Sequence, residues 1–182
     1  MIQPWREVRS KVLMERFGKE VRETVFLNPV TNLEEEFLLF GQADSAVVLS
    51  VTDQGEVVTV LEYKQGCNKI IRELPGGGAD FAKESPEETV KRELLEETGY
   101  KAETLVFLGP PVFITPRNSW SCFYIFLALG CVKIAEPKRD PSEEIEVELI
   151  PVKKWMEMAP GMESPAAIVA TFRSLSYLSR YL

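Results

Sequence analysis

The order of polar and apolar residues predicts an α+β chain, with one mixed β-sheet sandwiched between a few helices. Three observations carry this. Alternation of apolar and polar residues, the period of a half-buried strand, dominates the chain. Only two segments show a clear helical pattern with start and stop signals. The 182 residues, 45% of them hydrophobic, suffice for one core and do not require a second domain. One domain over residues 1–182 is therefore expected.

Strands are read at residues 19–26, 36–40, 45–51 and 57–62, with Asp53-Gln54-Gly55 as the hairpin turn between the last two. Further strands are expected at 105–113, 121–130 and 145–151. One helix starts at Ser85-Pro86-Glu87-Glu88: serine caps, proline takes the first helical position and Glu88 closes a capping box. That helix ends at Gly99. A second covers roughly 164–181, with a short turn near 153–157. The chain carries no internal repeat and no low-complexity segment.

Composition removes several kinds of chemistry. The chain has no histidine, so Ser-His-Asp and Cys-His pairs and histidine-ligated zinc are excluded. Acid-base work falls to carboxylates, lysine, tyrosine or water on a metal. The net charge of −7 argues against a nucleic-acid surface, and an acidic protein needs a bridging cation to handle phosphate. Cys67, Cys122 and Cys131 are odd in number and widely spaced, which fits reduced thiols and a cytoplasmic setting. The first residues lack the apolar stretch of a signal peptide, and no apolar run reaches the ~20 residues of a membrane span.

The informative stretch is 78–100. At about 100° per residue, Glu93, Glu96 and Glu97 fall within an arc of about 100° on the predicted helix, beside an apolar seam of Val90, Leu94 and Leu95. Carboxylates so close repel one another, and a divalent cation relieves the repulsion. Oxygen-only ligands suit Mg2+, or Mn2+, rather than zinc. Glu84, just before the helix, can reach the same ion directly or through water, and Arg92 can hold Glu96 in one orientation at i,i+4. A glutamate-rich helix face is more often simply solvated; the complete spacing decides against that here. Gly78, five residues, Glu84, seven residues, then Arg92-Glu93-Leu94-Leu95-Glu96-Glu97-Thr98-Gly99 reproduces all seven fixed letters of one motif. At a chance of about 7% per letter, coincidence is on the order of one in 10⁸.

These residues resemble the Nudix box, and the chain is similar to Nudix hydrolases. Tyr100 departs from the usual aliphatic residue, a change that touches packing. The resemblance implies the Nudix fold and hydrolysis of the pyrophosphate in a nucleoside diphosphate linked to another group. It implies Glu93 and Glu97 as main metal ligands, Glu96 as an additional one, and the backbone carbonyl near Gly78 as a further oxygen. The triplet Gly76-Gly77-Gly78 gives the backbone room for close approach, although a glycine triplet is more often just a flexible turn. In relatives acting on ADP-ribose the general base comes from a mobile acidic loop after the box. The matching segment here is 133–144, which points to Glu144 and then Glu143; a box glutamate such as Glu93 is the alternative base.

The segment 72–78 and Glu62-Tyr63-Lys64 are similar to the ADP-ribose and nucleotide-sugar branch, as is the position of Pro116. Lys64 stands where arginine is frequent, and no glycine follows Pro116, so the terminal sugar stays open between ADP-ribose, GDP-mannose and others. Arg72 and Lys64 are expected as phosphate contacts or as ordinary surface charges. Trp5, in a polar segment, either stacks on a nucleobase or anchors its own chain, while Trp120 and Trp155 are assigned to packing. In this branch N-terminal strands commonly cross to a second subunit. The resemblance thus implies an N-terminal antiparallel strand region over 1–42, a core over 43–182, and a homodimer. Two alternatives remain: hydrolysis of nucleoside triphosphates or dinucleoside polyphosphates, and a regulatory nucleotide-binding module, whose relatives usually lose box carboxylates that are all present here.

Overall fold

The computed structural model describes residues 1–78, 83–138 and 144–182. The chain divides into two compact units, Met1–Ala43 with Phe113–Cys122, and Asp44–Val112 with Phe123–Leu182.

The first unit is built on a three-stranded antiparallel sheet, β1 (Arg6–Arg16), β2 (Lys19–Leu27) and β3 (Glu34–Gln42), in that order. All of β1 is exposed, which is why no buried period marked it in the sequence. Segment 113–122 is stitched to β3: the amide of Phe40 donates to the carbonyl of Asn118 at 2.9 Å, and the hydroxyl of Ser121 bonds both backbone groups of Gln42. The indole of Trp120 lies flat against Gly41, where any Cβ would collide with it.

In the second unit β4 (Ser45–Thr52) and β11 (Cys122–Lys133) run parallel, and β5 (Glu56–Lys64) and β12 (Ile145–Pro151) extend the sheet antiparallel. The shorter strands β6 (Lys69–Glu73), β7 (Gly76–Gly78), β8 (Tyr100–Lys101) and β9 (Thr104–Phe107) attach to β5, β4, β11 and β11. Alternation along β4 and β11 sends successive side chains into two cores. Leu49, Val51, Ile125 and Leu127 pack with Trp155, Ala167 and Leu178 on one face. Ala46, Val48, Phe126 and Ala128 pack with Val90 and Leu94 of α1 (Pro86–Thr98) on the other. The mixed sheet is thus sandwiched between α1 and the helices α2 (Val152–Met158), α3 (Pro165–Arg173) and α4 (Leu175–Leu178). Among the described residues no helix is long and apolar enough to cross a membrane.

Three departures from the sequence reading have physical causes. The strand expected over 105–113 breaks after Phe107 and resumes only as β10 (Val112–Phe113), because Gly109 takes φ +93° and Pro110 and Pro111 have no amide to donate. The helix expected over 164–181 is interrupted at Ser174, whose φ of −97° and ψ of 1° leave the helical region, and resumes as α4. The glycine triplet, with no side chains to reveal a period, is strand β7 rather than a free turn. Trp155 does pack: it is fully buried, and its indole N–H donates to Thr171 Oγ1 at 2.8 Å.

Candidate active site

The glutamates are presented by α1, whose ends are fixed locally. Ser85 Oγ accepts from the Glu88 amide at 3.2 Å, and Glu88 Oε2 accepts from the Ser85 amide at 2.7 Å, closing the capping box. Donation from the Ser85 amide, and from its hydroxyl at 2.8 Å, holds the Glu88 carboxyl below its usual range. At the other end Gly99, at φ +77°, turns the chain and donates to the carbonyl of Leu95 at 2.9 Å. With Val90 and Leu94 buried under the helix, Glu93 and Glu97 flank the core and meet β7. The Gly76 amide donates to Glu97 Oε2 at 3.0 Å. Gly77 leaves the space that the Glu93 carboxylate fills, and a Cβ there would lie 2.7 Å from Glu93 Cδ. Gly76 is required for a different reason, since its Cβ would lie 2.7 Å from Cα of Val47.

Arg92 gathers the remaining carboxylates. Nη2 and Nε donate to the two oxygens of Glu84 at 2.8 and 3.2 Å, while Nη1 donates to Glu93 Oε1 at 2.8 Å and to Glu96 Oε2 at 3.1 Å. Hydrogen bonding to Glu84, and then to Glu93 and Glu96, drives the guanidinium pKa further upward against partial burial, so Arg92 is a permanent cation. Glu84, Glu93 and Glu96 thus surround one guanidinium. Glu93 is the most enclosed of the three glutamates paired with Arg92, with 15% of its side chain exposed. Among the described residues no three side-chain ligands already converge on one point. The cradle at Gly77 and the all-oxygen donors nonetheless fit a hard divalent cation.

The chain after β11 is tied across the end of α1. The amides of Ile134 and Ala135 donate to the carbonyl of Gly99 at 2.9 and 3.2 Å, and that of Lys138 donates to the carbonyl of Glu96 at 2.7 Å. A Cβ on residue 99 would collide with the carbonyl of Ala135. Glu144 is exposed immediately before β12, and Glu143 lies outside the described residues.

Lys64 and Arg72 part company. Lys64 has the parity of Val58, which packs under α1, and its ammonium pairs with Glu62 at 2.6 Å and Glu73 at 2.9 Å. Burial alone would lower its pKa; the bonds to Glu62 and Glu73 outweigh that and the net shift is upward. Arg72 neighbours Glu73 on β6 and so faces the other side of the sheet, where it pairs with Glu148 at 2.7 Å. The structure does not bring Arg72 to the glutamates.

The first unit holds a cleft of about 880 Å³ lined by Trp5 and Pro116, with Phe26, Phe37, Phe113 and Trp120 as further aromatic walls. The two-residue period of β3 sets Glu35, Phe37 and Leu39 in its lining. Trp5 and Phe26 each meet the Phe37 ring edge to face at 5.8 Å, and the guanidinium of Arg117 sits 5.9 Å from that ring. Of this lining the sequence pointed only to Trp5 and Pro116. The alternation of Glu35, Phe37 and Leu39 was the signal available for the β3 wall alone.

The profile of the NUDIX domain matches residues 41–172. The chain belongs to the NUDIX family. This NUDIX chain is 33% identical over 108 residues to the ADP-ribose pyrophosphatase of Bacillus subtilis (strain 168), covering 59% of this chain and 57% of that protein. It is 29% identical over 99 residues to the ADP-ribose pyrophosphatase of Mycobacterium tuberculosis (strain ATCC 25618 / H37Rv), covering 54% and 47%. The aligned stretches thus span about half the length of those relatives. A crystal structure of an ADP compounds hydrolase superposes with a TM-score of 0.83 over 99% of this chain and 97% of that one, at 17% identity, and so shares the NUDIX fold.

Proposed function

We propose that this NUDIX protein is a divalent-metal-dependent pyrophosphohydrolase of nucleoside diphosphate sugars such as ADP-ribose or GDP-mannose, giving a nucleoside monophosphate and a sugar phosphate. The observation that carries the reading is the seating of Glu93 against Gly77 and of Glu97 on the Gly76 amide, with Arg92 drawing in Glu84 and Glu96. Glu93 and Glu97 would hold the ion, Mg2+ first and Mn2+ second, supported by Glu96, Glu84 and the carbonyl of Gly78. Bound there, the ion would neutralise charge on the diphosphate and lower the pKa of a water.

The remaining work belongs to side chains. Arg92 fixes the direction of three carboxylates, Glu84, Glu93 and Glu96, through its guanidinium. Glu144 takes the proton of the attacking water, with Glu143 as its alternative. Lys64, kept cationic by Glu62 and Glu73, faces phosphate from β5. Trp5 and Pro116 belong to a cleft with the flat apolar walls that stack a nucleobase. The two ADP-ribose pyrophosphatases among the relatives support this choice of substrate class. The proposal extends to a homodimer formed through β1 to β3, supported by the exposed Val8, Val12, Leu13 and Met14 of β1, and to a cytosolic setting for the free thiols.

The test is a panel of ADP-ribose, GDP-mannose, other nucleotide sugars, dinucleoside polyphosphates and nucleoside triphosphates, with Mg2+ and then with excess EDTA. A monophosphate plus a sugar phosphate, lost with EDTA, is expected. Turnover of triphosphates or dinucleotides alone would move the chain to the second substrate class, and turnover that survives EDTA would remove the metal from the reading.

A further inference from the structure

The aromatic cleft of the first unit carries one carboxylate and one guanidinium among its flat walls, Glu35 and Arg117. We propose that this pair selects guanine over adenine, so that the substrate is a guanosine diphosphate compound. This rests on the reading of the chain as a nucleoside diphosphate hydrolase and narrows it.

Donors and acceptors on the base edges decide between the bases. An ionised carboxylate only accepts hydrogen bonds. Guanine places two adjacent donors, N1–H and the N2 amino group, on one edge, and a carboxylate takes both. Adenine offers at the corresponding edge one amino donor beside the bare acceptor N1, which a carboxylate repels. Cytosine likewise pairs an amino donor with a bare acceptor, and uracil flanks its single N–H with two carbonyl oxygens. The other side of guanine carries the acceptors O6 and N7, which match the donor fork of an arginine.

Both residues line the cleft. Glu35 sits opposite Phe26 in the β2–β3 register, two residues from Phe37 on the same strand, so its carboxylate belongs to the lining that holds the rings. Asn28 Nδ2 donates to Glu35 Oε1 at 2.7 Å, which fixes the group while leaving it further lone pairs. Arg117 makes no ion pair among the described residues, and its guanidinium rests 5.9 Å from the Phe37 centroid. A purine stacked in this cleft meets an acceptor-only group and a donor-only group, an asymmetry that guanine satisfies and adenine does not.

The experiment uses the full chain. Affinities for GMP and AMP are measured by tryptophan fluorescence and calorimetry, and kcat/KM for GDP-mannose and ADP-ribose is measured with Mg2+. GMP is expected to bind about tenfold or more tightly than AMP, the scale of one good bidentate pair. In Glu35→Gln the amide offers one acceptor and one donor, the pattern of the adenine edge, so the ratio should collapse or invert while the melting temperature holds. Arg117→Ala should weaken GMP binding more than AMP binding. Equal or tighter binding of AMP by the unaltered protein, or a ratio unchanged in Glu35→Gln, overturns the proposal. Hydrolysis that prefers ADP-ribose sinks the base assignment alone. A Glu35-dependent preference for GMP without cleavage of any diphosphate compound sinks the hydrolytic reading and leaves the base assignment standing.

Discussion

Replacing Gly77 by alanine separates the site from the fold. The backbone at residue 77 is not in the left-handed region, so alanine is tolerated by the chain itself. Its methyl group, however, would stand 2.7 Å from Glu93 Cδ, where carbon atoms prefer about 3.5 Å. The carboxylate therefore has to retreat by roughly 0.8 Å, and because it ends a flexible side chain it can do so without moving α1. A displacement of about 1 Å at a reacting centre costs on the order of 100-fold in rate, close to 3 kcal/mol of barrier. Gly78→Ala is the control, since no described residue lies within 4 Å of the Cβ it would add and its carbonyl is retained. Steady-state kinetics and a thermal melt on the two variants give the answer. The expected result is a fall of about 100-fold in kcat/KM for Gly77→Ala, little change for Gly78→Ala, and melting temperatures near that of the parent for both. A Gly77→Ala enzyme within threefold of the parent would refute the role given to the Glu93 carboxylate.

Glu93→Gln and Glu97→Gln should each remain folded, since a glutamine oxygen can still accept from Gly76 or Arg92, yet lose about 100-fold or more in activity with Mg2+; calorimetric titration with Mg2+ checks the ligand role, and unaltered uptake in both would end it. Glu144→Gln should lower kcat by about 100-fold or more with metal affinity and KM unchanged; if only Glu143→Gln does so, the base is the neighbouring residue. Native protein should expose one thiol per chain to Ellman's reagent at pH 8, because Cys67 is exposed while Cys122 and Cys131 are buried. Burial pushes the Cys131 thiol up to about 11, so it stays protonated and unreactive until the pH approaches that value or the chain unfolds. Reaction of more than one thiol in the native state would contradict the buried placements.

The parts of this structure legible in the sequence are those fixed by near neighbours. The cap at Ser85, the stop at Gly99 and the spacing of Glu93, Glu96 and Glu97 all lie within one helix, where a 3.6-residue period places side chains without knowledge of the rest. β4 and β11 were read from the sequence as strands, and their side chains serve two cores at once. The parts that stayed hidden depend on partners remote in the chain. β1 is exposed along its whole length and shows no burial period. Arg72 parts from Lys64 only through the pairing register of β5 and β6. The aromatic cleft draws on Trp5, on β2 and β3, and on a segment beyond residue 112, and nothing local announces that these meet.

The last fixed letter of the box, Gly99, has two independent reasons to be glycine. Its left-handed φ alone would also admit asparagine, the usual substitute at the end of a helix. The carbonyl of Ala135 closes off that second option by occupying the volume any side chain would need. The identity of residue 99 is thus dictated jointly by the helix it ends and by a strand exit far downstream, and a change in the course of the chain near Ala135 would be felt at the turn that terminates the acidic helix.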